Sequence, residues 1–181
     1  ESARLSPFPV AIARPLGPHP LLAVAAARQL RAAGASRGDA VVLVVAGSRN
    51  PGASVDAMVA GRLLRRRWNG PVRVAFLSGD GPGVPEVMAR LRAEGHTRVA
   101  ASPYLLAPGH FASKADALAR DSGAAVVADV LGPHPLVAEL VVRRYLAARR
   151  VLLGSERVVW ACSTSSTSAS VTRASHSSGS M

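Results

Sequence analysis

Five side chains with ligating or proton-handling chemistry fall in short Gly- and Pro-rich segments. Ser48 and Arg49 lie in Gly47–Gly52 (GSRNPG), Asp80 in Ser78–Gly83 (SGDGPG), His110 in Pro103–His110 (PYLLAPGH) and His134 in Asp129–Pro135 (DVLGPHP). Imidazole binds divalent transition metals and titrates near neutrality. A guanidinium makes forked contacts to carboxylates. Glycine lets a ligand approach the backbone closely, and proline stiffens the loop that presents it. Other chemistries lack their residues. No Ser-His-Asp order and no Cys-x-x-Cys pair occurs, and Cys162 is the only cysteine, so an internal disulfide framework is excluded. The GDGPG stretch lacks the Lys-Ser/Thr or the glycine spacing of a phosphate loop.

Each of these segments follows a short apolar run: Val41–Ala46 (VVLVVA), Val72–Leu77 (VRVAFL), Arg98–Ser102 (RVAAS) and Ala124–Ala128 (AAVVA). Continuous rather than alternating hydrophobicity predicts strands covered on both faces, as in a parallel sheet. Helices are predicted over Ala53–Trp68, Val84–Glu94, Phe111–Ser122 and Leu136–Arg149. Pro85 and Pro135 sit where a first turn tolerates proline, and Gly95 and Gly123 where a helix ends. The alternation defines an α/β fold, an open four-stranded parallel sheet with flanking helices. In such sheets ligands gather outside the carboxyl ends of the strands, which is where all four loops fall.

The hexapeptide LGPHPL occurs twice, at Leu16–Leu21 and Leu131–Leu136. Agreement continues beyond it: Ala23 matches Ala138, Arg28 matches Arg143, and Ala32–Ala33 match Ala147–Ala148. The repeat is therefore a loop plus its helix, and a helix is predicted over Leu21–Ala33. Residues 1–34 read as the end of a preceding repeat and its connecting helix, 35–154 as the α/β domain, and 155–181 as a disordered Ser/Thr-rich tail. A chain that starts at Glu1 reads as a fragment.

Composition narrows the partners. The net charge is +11, with one lysine, Lys114, and arginine for the rest. A positive surface favours acidic partners, polycarboxylates as well as phosphates. The arginines are scattered through every helix, so nucleic acid is not the expected ligand. No apolar run approaches the roughly 20 residues of a membrane helix. No membrane association and a cytoplasmic location are expected.

The stretch VVAGSRNP resembles the HGSR-P signature of the sirohydrochlorin chelatases, the CbiX-type cobalt and iron chelatases of cobalamin and sirohaem synthesis. VRVAFLSGDGPGVPEVMARLRAEGHTRVAASPYLLAPGHF is similar to that family's middle stretch, and the LGPHP loop with its helix to its closing segment. Residues 14–150 are covered. The resemblance implies a class II chelatase-like fold and a lyase that inserts Co2+ or Fe2+, as substrate and without an organic cofactor, into an acidic tetrapyrrole. It implies His110 as catalytic base and, with Asp80, as metal ligand. It points to Ser48, Arg49 and His134 as contacts to substrate. Long members carry two such domains, so a second chelatase-like domain, in this chain or another, is the implied partner.

Three departures from the family pattern stand beside these matches. Ala46 stands where the family has a histidine, Ser78 where an acidic residue commonly follows AFL, and the acidic residue expected soon after His110 is displaced to Asp116. An alternative is therefore a catalytically decayed half that packs against an active domain. For His110 the plainer alternative is a histidine capping a helix that starts at Phe111. For His134, as for His19, it is a rigid turn.

Overall fold

Ala40–Val45 forms strand β1, and all six of its residues are buried. Successive side chains of a strand point to opposite faces, so β1 feeds two cores at once. Val41, Leu43 and Val45 join one cluster and Ala40, Val42 and Val44 the other. This is why the run is uniformly apolar instead of alternating.

The computed structural model describes residues 10–48 and 50–164. In chain order the elements are α1 (Pro20–Ala32), β1, α2 (Pro51–Arg65), β2 (Val72–Phe76), α3 (Val84–Ala93), β3 (Val99–Pro103), α4 (His110–Asp121), β4 (Val126–Val127) and α5 (Pro135–Thr164). The sheet has the order β2-β1-β3-β4, and every pairing is parallel. Val41 pairs with Val72 on one side and Ala100 on the other. The open four-stranded parallel sheet expected from the sequence is present. Helices α1 and α2 cover one face, burying Ala26, Leu30, Ala60 and Leu64, and α3 and α4 cover the other, burying Met88, Leu91, Ala115 and Ala119.

Pro15–Arg144 form one compact unit, and the described residues on either side of it, 10–14 and 145–164, belong to a second. The first of these contains α1, so the helix read as the end of an earlier repeat is packed on this sheet. No strand accompanies it among the described residues: Val10–Pro15 carry no secondary structure. Two elements differ from expectation. β4 shortens to two residues, pairing Ala100 with Val126 and Ala101 with Val127. α5 runs on from Arg149 to Thr164, since nothing between them breaks a helix except Gly154. The remainder of the expected Ser/Thr-rich tail lies outside the described residues.

The amino end of the sheet is fastened by a buried carboxylate. Asp39 accepts from the Ser36 N–H at 3.0 Å and from Arg98 Nε at 3.2 Å, while its carbonyl accepts from Trp68 Nε1 at 2.8 Å. That pole is structural. The carboxyl end is open.

Candidate functional site

The two copies of LGPHPL fold alike. His19 Nδ1 accepts from the Leu21 N–H and His134 Nδ1 from the Leu136 N–H, each at 3.1 Å. Each histidine carbonyl also receives the N–H groups three and four residues on. Both histidines are therefore helix N-caps, satisfying amides that the first turn leaves without partners. One ring nitrogen of His134 is committed to this work, and only Nε2 remains for a ligand. The pKa of His19 is lowered, by burial first and then by Arg144 and Arg143, against a smaller opposing effect of Glu139.

The loop after β1 is set by Gly47, whose φ is +86°. A Cβ there would lie 1.8 Å from the Ser78 carbonyl oxygen, so only glycine fits. Ser48 Oγ accepts from the Asn50 N–H at 3.1 Å, and Asn50 in turn caps α2 through Gly52. Ser48 is exposed, and its backbone lies against Gly79, which brings the loop of Ser48 beside the loop of Asp80. Asp80 is exposed. Arg49 lies outside the described residues. Ser78 Oγ donates to the Ala46 carbonyl at 2.8 Å, so two positions that depart from the family pattern touch each other.

His110 opens α4 instead of preceding it, and it makes no side-chain cap; Gly109 stands at the cap position with φ +148°. The plainer reading of His110 as a cap is thereby removed. Its ring is exposed and meets Phe111 edge to face at 5.7 Å. One turn later on the same helical face, Lys114 Nζ donates to the Leu77 carbonyl at 2.9 Å. That bond seats the face of His110 over the end of β2, where the Asp80 loop begins. The loop of His110 is joined to that of His134 through the Leu131 N–H and the Leu105 carbonyl, 2.8 Å apart. The loops thus meet as two pairs around the carboxyl edge. Among the described residues, no group of three His, Cys, Asp or Glu side chains is placed to hold a metal ion.

A cavity of about 230 Å3 opens at this edge, lined by Gly17 and Pro18, the ends of β1 and β2 at Val45, Gly47 and Phe76, α2 at Ala53, Asp56 and Ala57, and Tyr104. Its walls are apolar apart from Asp56 and Tyr104. The Tyr104 hydroxyl is buried and has no hydrogen-bond partner among the described residues. Burial pushes its pKa up to about 12, while the nearby His19 backbone pulls it slightly down and Asp56 adds to the rise. Sequence reasoning passed over Tyr104, although it lies in the loop of His110. Its significance comes from Gly17, where a Cβ would stand 3.1 Å from the hydroxyl.

Open parallel α/β sheets bind ligands at their carboxyl edge, and here that edge is ringed by Gly- and Pro-rich loops. The narrower class is shown by its sequence: the CbiX family model matches residues 40–148, and the chain belongs to the CbiX family. SirB from Bacillus subtilis with Fe3+ is similar in structure, with a TM-score of 0.70 and 23% identity over 85% of this chain and 63% of that one. The sirohydrochlorin chelatase SirB from Bacillus subtilis subspecies spizizenii, in complex with cobalt, gives 0.59 and 19% over 86% and 60%. A multi-domain Deinococcus radiodurans protein with structural similarity to chelatases gives 0.55 and 29% over 72% and 30%. The chain thus spans less than two thirds of the SirB chains it matches. No curated protein sequence is similar enough to register as a relative. No helix among the described residues is long and apolar enough to cross a membrane.

Proposed function

We propose that this chain is a cytoplasmic chelatase unit that acts on sirohydrochlorin, inserting Co2+ or Fe2+ on the way to cobalamin or sirohaem. Membership of the CbiX family over residues 40–148 carries the reading. It is supported by an exposed imidazole, His110, with no cap to make, at the carboxyl edge where such folds bind ligands. Insertion forms metal–nitrogen bonds in the macrocycle and breaks two pyrrole N–H bonds, with no change of oxidation state. It therefore needs a base and a metal-releasing ligand but no organic cofactor. A neutral imidazole serves both needs in turn. His110 and Asp80 pass the metal; His110, freed of it, takes one pyrrole proton and solvent water takes the other. Ser48, Arg49 and the free Nε2 of His134 hold substrate carboxylates.

The test is anaerobic incubation of the chain with sirohydrochlorin and Co2+, followed by the absorbance of the metallated ring. The expected result is a rate above the spontaneous one that falls to it in His110→Ala. An acceleration that survives His110→Ala overturns the role given to His110.

A second reading has its own support. The missing histidine and acidic positions, Ala46 and Ser78, touch each other, and no three ligating side chains converge among the described residues. In this reading the unit is the structural half of a tandem protein, packed against a domain that does the chemistry. No acceleration by the chain alone is its expected outcome.

A further inference from the structure

Strand β2 closes one side of the sheet, and its outer edge is open. The Val41 N–H donates to the Pro71 carbonyl at 2.8 Å and the Leu77 N–H to the Val45 carbonyl at 2.9 Å. Peptide groups along a parallel strand point alternately to its two neighbours, so Arg73 and Ala75 bond to β1 as Pro71 and Leu77 do. Val72, Val74 and Phe76 turn their N–H and carbonyl groups the other way. The chain itself fills the last of these places: the Phe76 N–H donates to the Pro82 carbonyl at 2.9 Å, and Phe76 forms a parallel bridge with Gly83. Among the described residues nothing bonds to Val72 or Val74 on that side. The edge can take a strand, and two of its residues are free to do so.

The surface beside this edge is chemically one-sided. Met58, Arg62 and Arg65 follow one another along a single face of α2. With Gly61 they form one wall of a trough of about 170 Å3, and Val72, Arg73 and Val74 form the other. Gly61 lets α2 lie this close, since a Cβ there would stand 2.7 Å from Val74 Cγ2. Met58, Arg62 and Arg65 are exposed, and neither arginine has a carboxylate partner among the described residues. Asp56, on the same helix, lines the cavity beside Tyr104 instead. A charge on a short edge strand commonly guards it against pairing. Arg73 guards poorly, because Glu94 at the end of α3 answers its charge at 3.4 Å.

We propose that the β2 edge binds an extended acidic segment of a partner protein, which joins the sheet as a fifth strand through the peptide groups of Val72 and Val74. Each feature narrows the occupant. Two outward N–H groups and two outward carbonyls at strand spacing suit a peptide backbone. A nucleic acid or a small anion would use the arginines but leave this ladder unmade. Arg62 and Arg65 border the edge on the α2 face of the sheet. Side chains of an added strand alternate between faces, so carboxylates at every second position meet these guanidiniums in forked contacts. Met58 lies beside them for the carboxylates' methylenes. A second copy of this chain is a poor occupant: antiparallel pairing of β2 with its own copy sets α2 beside α2, and the arginines of one against those of the other. The inference is independent of chelatase activity, because it uses no residue of the loops at the carboxyl edge.

The probe is an end-blocked heptapeptide of alternating glutamate and threonine, titrated into the intact chain by calorimetry. Saturable one-to-one binding is expected, with amide exchange at Val72 and Val74 slowed by about tenfold or more in the complex. Lysine in place of the glutamates abolishes binding. N-methylation of the threonines blocks a parallel added strand, and N-methylation of the glutamates an antiparallel one. One of these two peptides should therefore bind about tenfold more weakly than the parent while the other keeps its affinity. Arg62→Gln with Arg65→Gln, at exposed helix positions, leaves Tm unchanged within about 2 °C. The same pair weakens binding of the parent peptide about tenfold. Absence of binding, equal binding of the parent and both N-methylated peptides, undiminished binding to the double variant, or slowed exchange only away from β2 overturns the proposal. So does protection of Val72 and Val74 that grows with protein concentration in the absence of peptide, the sign of a second copy on the edge.

Discussion

Tyr104 holds a phenol away from water, and no partner among the described residues meets the geometry of a hydrogen bond to it. A buried hydroxyl without a partner costs on the order of 1–3 kcal/mol, whereas an apolar group of the same shape does not. Tyr104→Phe is therefore expected to stabilise the protein by about 1 kcal/mol in urea denaturation. If the hydroxyl is kept for a ligand oxygen, the same substitution weakens sirohydrochlorin binding several-fold. Stabilisation without loss of binding would sink that role. Its titration gives a second signature. The folded state raises the pKa from 10.0 to about 12, so it favours the protonated phenol. The contribution of this group is complete below pH 10 and is lost as pH rises toward 12. Wild-type protein should lose more stability across that interval than Tyr104→Phe. Equal losses would place the phenol in contact with water.

At the scale of elements, the duplicated cap and the glycine turn are the working parts. His19→Ala removes the acceptor for the Leu21 N–H and is expected to cost about 1 kcal/mol. His19→Asn keeps a capping oxygen and should cost less. The pH dependence separates the variants. The folded state lowers the pKa of His19, by burial first and then through Arg144 and Arg143, so the stability it contributes is present above pH 6.5 and is lost as pH falls through the lowered value. Thermal unfolding between about pH 7 and 5 should show this loss in wild type and not in His19→Asn. Gly47→Ala forces a Cβ onto the Ser78 carbonyl, 1.8 Å away, at a left-handed φ. A loss of at least about 2 kcal/mol is expected in denaturant melts. A smaller loss would mean that the loop yields easily. These elements were legible in the sequence because punctuation and apolar pattern agreed. Proline sits in the first turn of α3 and of α5, glycine follows α3 and α4, and valine runs mark β1 and β2. What could not be read depended on contacts between distant segments. Gly17 meets Tyr104 only after the chain has folded, and the extent of α5 was hidden by a composition that suggested its end.

For the whole molecule, charge is the property that meets a substrate first. The chain carries 22 Lys and Arg against 11 Asp and Glu. Ion pairing does not consume the excess: Arg73, Arg90, Arg98, Arg120 and Arg143 each engage one carboxylate, removing both signs equally. Surface pairs of this kind add little stability, and the net +11 remains to attract anions. An acidic tetrapyrrole should therefore bind with an affinity that falls with ionic strength, because the Debye length shrinks from about 10 Å at 0.1 M salt to about 3 Å at 1 M. The expected change is a rise in Kd of roughly tenfold over that range, read by tetrapyrrole fluorescence or absorbance titration. An esterified tetrapyrrole of the same ring but without carboxylates should show almost none of it. That control separates attraction to the carboxylates from burial of the ring in the apolar cavity beside Tyr104, a contribution that salt does not screen. If both compounds respond alike, the positive surface is not how this protein recognises its ligand, and the roles assigned to Arg49 and His134 fall with it.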